Sequence, residues 1–322
     1  MRTITLGRSG LEVSRIAFGT WQLGGEWGAT EEATAVAAIR RAMDRGVTFF
    51  DTAQAYGFGT SERLLAKALR GHPRDELVLA TKGGLRSSGS GIARDASAVA
   101  IRLGVEESLR ALETDYIDLF QIHWPDPKVA FAETAEALAT LVAEGKIRHV
   151  GVSNFTAELM ESFGKMLPVE TLQPPYNLFH REIEKEILPY AAAHDVGVLV
   201  YGPLAHGLLS GRLGPNPTFP PGDWRALSDD FHGEVFERNL SVVSGLQRFA
   251  RDELGLSLGQ LAVAWTLANP AVDVAIVGTR NPAHVDEALV AAFVDLDTDV
   301  MRRIEEIMRH ATPISGPSPE RM

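Results

Sequence analysis

Short apolar runs recur along the chain, and nearly every one is followed by a segment whose apolar residues return every three or four positions. The runs fall at 14–19, 48–50, 77–81, 117–122, 147–152, 170–173, 196–201 and 272–277. Runs this short, apolar on both faces, predict buried strands of a parallel sheet, and the segments between them predict amphipathic helices. Helices are expected over about 30–46, 61–71, 95–112, 131–144, after Thr156, over 184–194, 234–253, 258–268, 282–292 and 299–310. Ser61 reads as an N-cap with Glu62 in the first turn, and Gly46 and Gly71 read as stops. Gly7 and Ser9-Gly10 between two short runs predict a hairpin ahead of the repeat, placed to plug or cap it.

Three stretches break the rhythm. Residues 20–28 are rich in glycine and tryptophan, 83–91 in glycine and serine, and 202–233 carry glycine and proline without periodicity. A loop as long as the last is usually functional, and it falls where a lid over one mouth of a sheet would lie. About eight strands, each followed by a helix, with no linker-like shift in composition, predict an α/β fold: a single (β/α)8 TIM barrel domain over 1–322, with an N-terminal hairpin and a long lid loop after strand seven. A doubly wound open sheet is the runner-up, but no Gly-x-Gly-x-x-Gly follows a strand; Gly57-Phe58-Gly59 comes nearest and lacks the third glycine.

Composition narrows the function. A net charge of -11 repels nucleic acid and anionic membranes, so neither is an expected partner and any anionic ligand needs local cations. The absence of cysteine removes disulfides, thiolate metal sites and a cysteine nucleophile. No secretory leader or membrane-length apolar stretch is evident, so the cytoplasm is the expected address. No His-x-His pair ends a strand, which argues against a metal-dependent hydrolase.

The candidate chemistry sits at strand ends. The second, third and fourth runs lead into Asp51, Lys82 and His123, and Tyr56 follows five residues after Asp51. In a barrel these side chains share one bowl. Singly, each has an ordinary structural use as a loop cap, a packed ring or a solvated cation; together they suit proton donation to a carbonyl oxygen. Lys82 would lower the Tyr56 phenol from its usual pKa of about 10, Asp51 would fix Lys82, and a neutral His123 would donate to the substrate oxygen.

Phe50-Asp51-Thr52-Ala53-x-x-Tyr56-Gly57, Ala80-Thr81-Lys82, Asp118-Leu119-x-x-x-His123-Trp124-Pro125, Gly151-Val152-Ser153-Asn154-Phe155 and Gln173-x-x-Tyr176-Asn177 resemble the aldo-keto reductases. So do Tyr201-Gly202-Pro203-Leu204, Gly207-Leu208-Leu209-Ser210-Gly211-Arg212 and Ile276-Val277-Gly278-Thr279-Arg280-Asn281. The match runs nearly the whole length, and Thr218-Phe219-Pro220-x-Gly222-Asp223 makes it most similar to the bacterial vegetative-stress and inositol-operon branch.

The resemblance implies NADPH/NADP+ as cofactor and a small-molecule carbonyl substrate, with Tyr56 as general acid. It implies cofactor contacts from Gly19, Thr20, Trp21 and Asp51, carboxamide contacts from Ser153, Asn154 and Gln173, and stacking by Tyr201. Gly202, Leu204, Gly207, Leu209, Gly211 and Arg212 would cover the cofactor. Gly278, Thr279 and Arg280 end the last strand, where a barrel commonly places a phosphate, and Arg280 offers a fork for a 2′-phosphate, which favours NADPH over NADH. At the adenine end, His284 and Ala288 depart from the family's usual glutamine and asparagine, whereas Glu287 is kept. Trp21, Tyr56, His123 and Trp124 would wall the substrate pocket, with Trp27 and Trp224 as further candidates. A redox-sensing subunit that binds NADP(H) with slow turnover and a Schiff-base aldolase using Lys82 stay open as alternatives. Either monomer or homo-oligomer is compatible with the sequence.

Overall fold

Strands that are mostly apolar on both faces need cover on both, and the computed structural model provides it with helices outside and a packed barrel inside. It describes residues 1–88 and 91–316. Eight parallel strands close into a barrel: β3 (Ile16–Gly19), β4 (Phe49–Asp51), β5 (Val78–Gly83), β8 (Ile117–Ile122), β9 (Ile147–Ser153), β10 (Thr171–Gln173), β11 (Gly197–Val200) and β12 (Val274–Gly278). They are joined in that order, and β12 closes on β3 through Gly278↔Gly19.

The helices between them are α1 (Glu32–Asp44), α2 (Thr60–Leu69), α3 (Ala98–Leu112), α4 (Phe131–Ala143), α5 (Ala157–Gly164) and α6 (Ile187–Ala193). After β11 come α7 (Gly233–Leu254) and α8 (Leu258–Ala268), and after β12 come α9 (Pro282–Val290) and α10 (Thr298–Met308). Their starts follow side-chain chemistry. Ser97, Thr156, Ser257, Asn281 and Asp297 each accept a backbone N–H of the first turn, and Ser257 with Gln260 forms a capping box.

The N-terminal hairpin pairs β1 (Thr3–Thr5) with β2 (Glu12–Ser14) and plugs the barrel. Leu6 is fully buried in a core with Val13, Ala17, Phe49, Ala80, Leu119, Leu199, Val274 and Ile276. The plug depends on glycine. Gly7 has φ +47°, and a Cβ on it would collide with the Gly197 backbone. One on Gly197 would come 2.8 Å from the Leu6 carbonyl carbon.

The structure corrects several local expectations. The serine- and glycine-rich stretch holds a second hairpin, β6 (Leu85–Ser88) against β7 (Gly91–Arg94), anchored by Leu85 opposite Arg94. Its composition hides its strands, because serine and glycine carry little strand preference. Helix α2 starts at Thr60 after Gly59, and Ser61 is no cap. The Ser61 hydroxyl is buried and donates to the Thr20 carbonyl at 3.0 Å. Helix α3 begins at Ala98 rather than at Asp95, and 184–194 divides into a 3-10 turn, Glu182–Glu184, followed by α6. The stretch 202–233 contains 3-10 segments Ala205–Ser210, Trp224–Leu227 and Asp229–Phe231. Of the tail, 311–316 is strapped down by Thr312 to Asn239 and by Ile314 to Phe179; its remainder lies outside the described residues.

Candidate active site

At the C-terminal ends of the barrel strands a cleft of about 560 Å³ opens. Asp51 ends β4, Lys82 is the fifth residue of β5, and His123 continues β8, its N–H donating to the Gly83 carbonyl. Strand alternation points all three inward. Lys82 is wholly buried, and its ammonium is saturated: it donates to Asp51 Oδ1 at 2.7 Å, to the Thr52 carbonyl at 2.8 Å and to the Tyr56 hydroxyl at 3.3 Å. The second Asp51 oxygen accepts Gln173 Nε2 at 2.9 Å. The Tyr56 ring meets His123 edge-on, with centroids 5.6 Å apart.

This geometry revises the electrostatic expectation for Tyr56. Burial pushes the phenol well above its ordinary pKa, and the Asp51 charge adds to the rise. Lys82, at 3.3 Å, favours the phenolate, but its charge is largely matched by Asp51 at 2.7 Å, so burial outweighs it. Burial also lowers Lys82, against the opposing pull of Asp51. His123 is held well below its ordinary value by burial and then by Lys82, so the imidazole is neutral. The phenol oxygen accepts from Lys82, which leaves its own O–H free to donate into the cleft.

Around the tetrad, Gly19, Thr20, Trp21, Ser153, Asn154, Gln173 and Tyr201 line the cleft, as do Gly202, Leu204, Gly207, Arg212, Gly278, Thr279, Arg280 and His284. Asn154, at φ +62°, ties three strands together. Its Nδ2 donates to the His123 carbonyl and to Ser153 Oγ, both at 3.0 Å, and its Oδ1 accepts the Tyr201 hydroxyl at 2.9 Å. Three predicted contacts do not line the cleft. Leu209 is fully buried in the core under its own loop, Gly211 turns the chain at φ +71°, and Glu287 pairs with Arg212 at 3.1 Å. Arg212 also bonds His284, so the cation expected on a pyrophosphate is held by two side chains of α9. Lys82 lies beneath the lining.

Trp21, Tyr56, His123 and Trp124 wall one end, and Trp27 joins them. Trp224 does not line the cleft but stacks on Trp21, with centroids 6.1 Å apart. Sequence reasoning missed His206 and Arg225. Arg225 lies over Trp27, forms a 2.6 Å ion pair with buried Asp223 and donates to the His206 carbonyl. The resemblance at Gly222-Asp223 was the available signal for this corner. His206 sits among Trp21, Trp27 and Trp224 at φ +54°.

Burial holds His206 neutral, its pKa moved from 6.5 down to about 3. An unfolded chain binds a proton there below about pH 6.5 and the fold does not. This contribution is therefore present above pH 6.5 and lost as the pH falls toward 3, at up to about 1.4 kcal/mol per pH unit. His206→Asn keeps a residue tolerant of left-handed backbone and should flatten the acid limb of a urea-stability profile between those values.

Two features fit a dinucleotide phosphate. Asn281 caps α9, whose N-terminus opens beside Gly278–Arg280, where backbone N–H groups favour an anion. Arg280 donates through one nitrogen to the carbonyls of Trp27 and Ala29 and, among the described residues, has no carboxylate within ion-pair distance. A Cβ on Gly278 would collide with the Gln22 side chain and come 2.8 Å from the Gly19 carbonyl, so this floor admits only glycine. Among the described residues no cluster of histidine and acidic side chains could hold a metal ion, and no helix is long and apolar enough to cross a membrane.

A (β/α)8 barrel that gathers buried Asp51, Lys82 and His123 with half-buried Tyr56 at its C-terminal mouth has the fold and site of an oxidoreductase barrel. The chain belongs to the aldo/keto reductase family, whose pattern it matches over residues 15–309, and it is an oxidoreductase of the kind that acts on carbonyl compounds. It is 42% identical over 319 residues to the aldo-keto reductase YhdN of Bacillus subtilis strain 168, a match covering 98% of this chain and 96% of that protein. The solved structure of a glycerol dehydrogenase from Gluconobacter oxydans superposes with a TM-score of 0.87 at 38% identity, covering 98% of both chains. The NADH-specific methylglyoxal reductase of Escherichia coli K12 is 31% identical over 327 residues, covering 96% of this chain and 99% of that one.

Proposed function

We propose that the protein reduces an aldehyde or ketone to the alcohol with NADPH, with Tyr56 as general acid. The observation that carries this reading is the Tyr56 hydroxyl at 3.3 Å from the Lys82 ammonium, beside a neutral His123 at the wall of the cleft. His123 donates to the carbonyl oxygen and orients it. As negative charge develops on that oxygen, Tyr56 gives up its proton, and Lys82 stabilises the phenolate that remains. Asp51 keeps Lys82 charged and aimed. The bound nicotinamide supplies the hydride.

Ser153, Asn154 and Gln173 would hold the carboxamide and Tyr201 the flat face of the ring. The segment Leu204–Arg212, with the loop around it, acts as the lid. Arg280 takes the 2′-phosphate, exchanging its carbonyl acceptors for a charge-assisted fork. Since one relative is NADH-specific by name, this residue has a direct test. Arg280→Ala should weaken NADPH about 10- to 100-fold and leave NADH nearly unchanged, a loss of about 1.5–3 kcal/mol. Equal weakening of both would remove Arg280 from the phosphate.

Purified protein screened with NADPH and NADH against aldehydes, ketones and sugars tests the whole reading. Steady NADPH consumption with alcohol formation is expected. Tight NADPH binding without turnover on any carbonyl would indicate a redox-sensing subunit instead, and borohydride trapping of substrate on Lys82 would indicate an aldolase.

A further inference from the structure

The interior of the barrel is layered. Its floor is apolar, formed by Phe49, Ala80, Leu119, Leu199 and Val274 around the Leu6 plug. One level higher, where barrels usually carry bulky branched side chains, the strand register Lys82↔Gln121↔Gly151↔Thr171 sets three polar side chains and a glycine side by side. A Cβ on Gly151 would collide with Thr171 Oγ1 and come 3.1 Å from Gln121 Cγ, so Gln121 and Thr171 converge on the space this glycine leaves.

Lys82 is fully engaged, as described above. Gln121 and Thr171 are not. Both are fully buried, and among the described residues neither the Gln121 amide oxygen, nor its nitrogen, nor the Thr171 hydroxyl has a hydrogen-bond partner. Directly above, on the same face of β8 two residues on, His123 Nδ1 is likewise buried without a partner. Unpaired buried polar atoms are costly, and adjoining ones are commonly satisfied by an enclosed water that makes two to four bonds.

The proposed chemistry adds a requirement. His123 can donate to a carbonyl oxygen through Nε2 only if Nδ1 is unprotonated, and a buried imidazole keeps that tautomer when something donates to Nδ1. Asn154 bonds the His123 carbonyl, not its ring. Gln121, two residues earlier on the same face of β8, carries a spare amide donor.

We propose that Gln121 is a positioning residue: with Thr171 it holds an enclosed water that donates to His123 Nδ1 and so fixes the imidazole as the Nε2–H tautomer. This rests on the carbonyl-reductase reading for its purpose but not for its test. Gln121 itself does not line the cleft.

The tautomer is read in the resting protein by nitrogen-15 NMR of histidine-labelled samples, with His123→Gln assigning the signal. The wild type should show His123 as Nε2–H. Gln121→Met, of similar volume, should shift it toward the Nδ1–H form or a mixture, lower kcat about tenfold and leave NADPH affinity within about twofold. Thr171→Val should produce a smaller shift in the same sense at an unchanged melting temperature, and it decides the matter if Gln121→Met folds poorly. An Nδ1–H imidazole in the wild type would overturn the proposal. So would a retained Nε2–H signal with unchanged kcat in both variants. Failure of the wild type to reduce any carbonyl would sink the proposed function while leaving the tautomer result standing.

Discussion

Tyr56→Phe should lower kcat for carbonyl reduction by about 10²–10⁴-fold, the usual share of a positioned general acid, and leave NADPH affinity within about twofold. The ring is kept, so its stacking on Trp21 at 6.2 Å and its edge contact with His123 at 5.6 Å survive, and no cavity opens. Only the hydroxyl goes, and Lys82 retains Asp51 and the Thr52 carbonyl as acceptors. Fluorescence titration with NADPH and single-turnover kinetics separate the two effects. A variant that keeps more than about a tenth of wild-type kcat would move the proton donor elsewhere.

Lys82→Met acts on stability as well as rate. It strips the cation from a carboxylate that is only 3% exposed and leaves Asp51 with Gln173 as its remaining side-chain donor. Breaking a buried ion pair from one side costs about 3–5 kcal/mol, because the surviving charge is left desolvated. Activity should fall with it, since no ammonium then stabilises the phenolate. The double change Lys82→Met with Asp51→Leu removes both charges and should recover most of the stability in urea titrations while recovering none of the activity. Recovery of activity in the double variant would show that the pair serves folding alone.

Much of this was legible in the sequence for an identifiable reason. Strands buried on both faces are mostly apolar, so an Asp, Lys or His at the end of such a run stands out. Asp51, Lys82 and His123 were visible in that way, and the β/α rhythm gave the barrel. The residues that escaped notice lack such contrast. The β6–β7 hairpin mixes Ser87, Ser88 and Gly91 with only a few apolar residues, and its ladder depends on Leu85 facing Arg94, a pairing that no local pattern announces. His206 lies in an aperiodic stretch, and it reaches the cleft only because left-handed backbone at 206 and 207 turns it inward.

Electrostatics was the least legible part. Residue types suggested that Lys82 would acidify Tyr56, but the sign depends on where Asp51 sits and on how deeply all three are buried. Likewise Arg212 looked free for a phosphate in the sequence, whereas α9 carries Glu287 and His284 up to meet it. The two elements are far apart in the chain and joined only by the fold.

The proposed reaction is hydride transfer from nicotinamide to a carbonyl carbon, with the proton coming from Tyr56. NADPH deuterated at the transferring position of C4, incubated with the wild type and an aldehyde that it turns over, tests it most directly by mass spectrometry of the product. The expected product is an alcohol carrying one deuterium on the former carbonyl carbon. No alcohol with any carbonyl tried, or an alcohol free of deuterium, would contradict it.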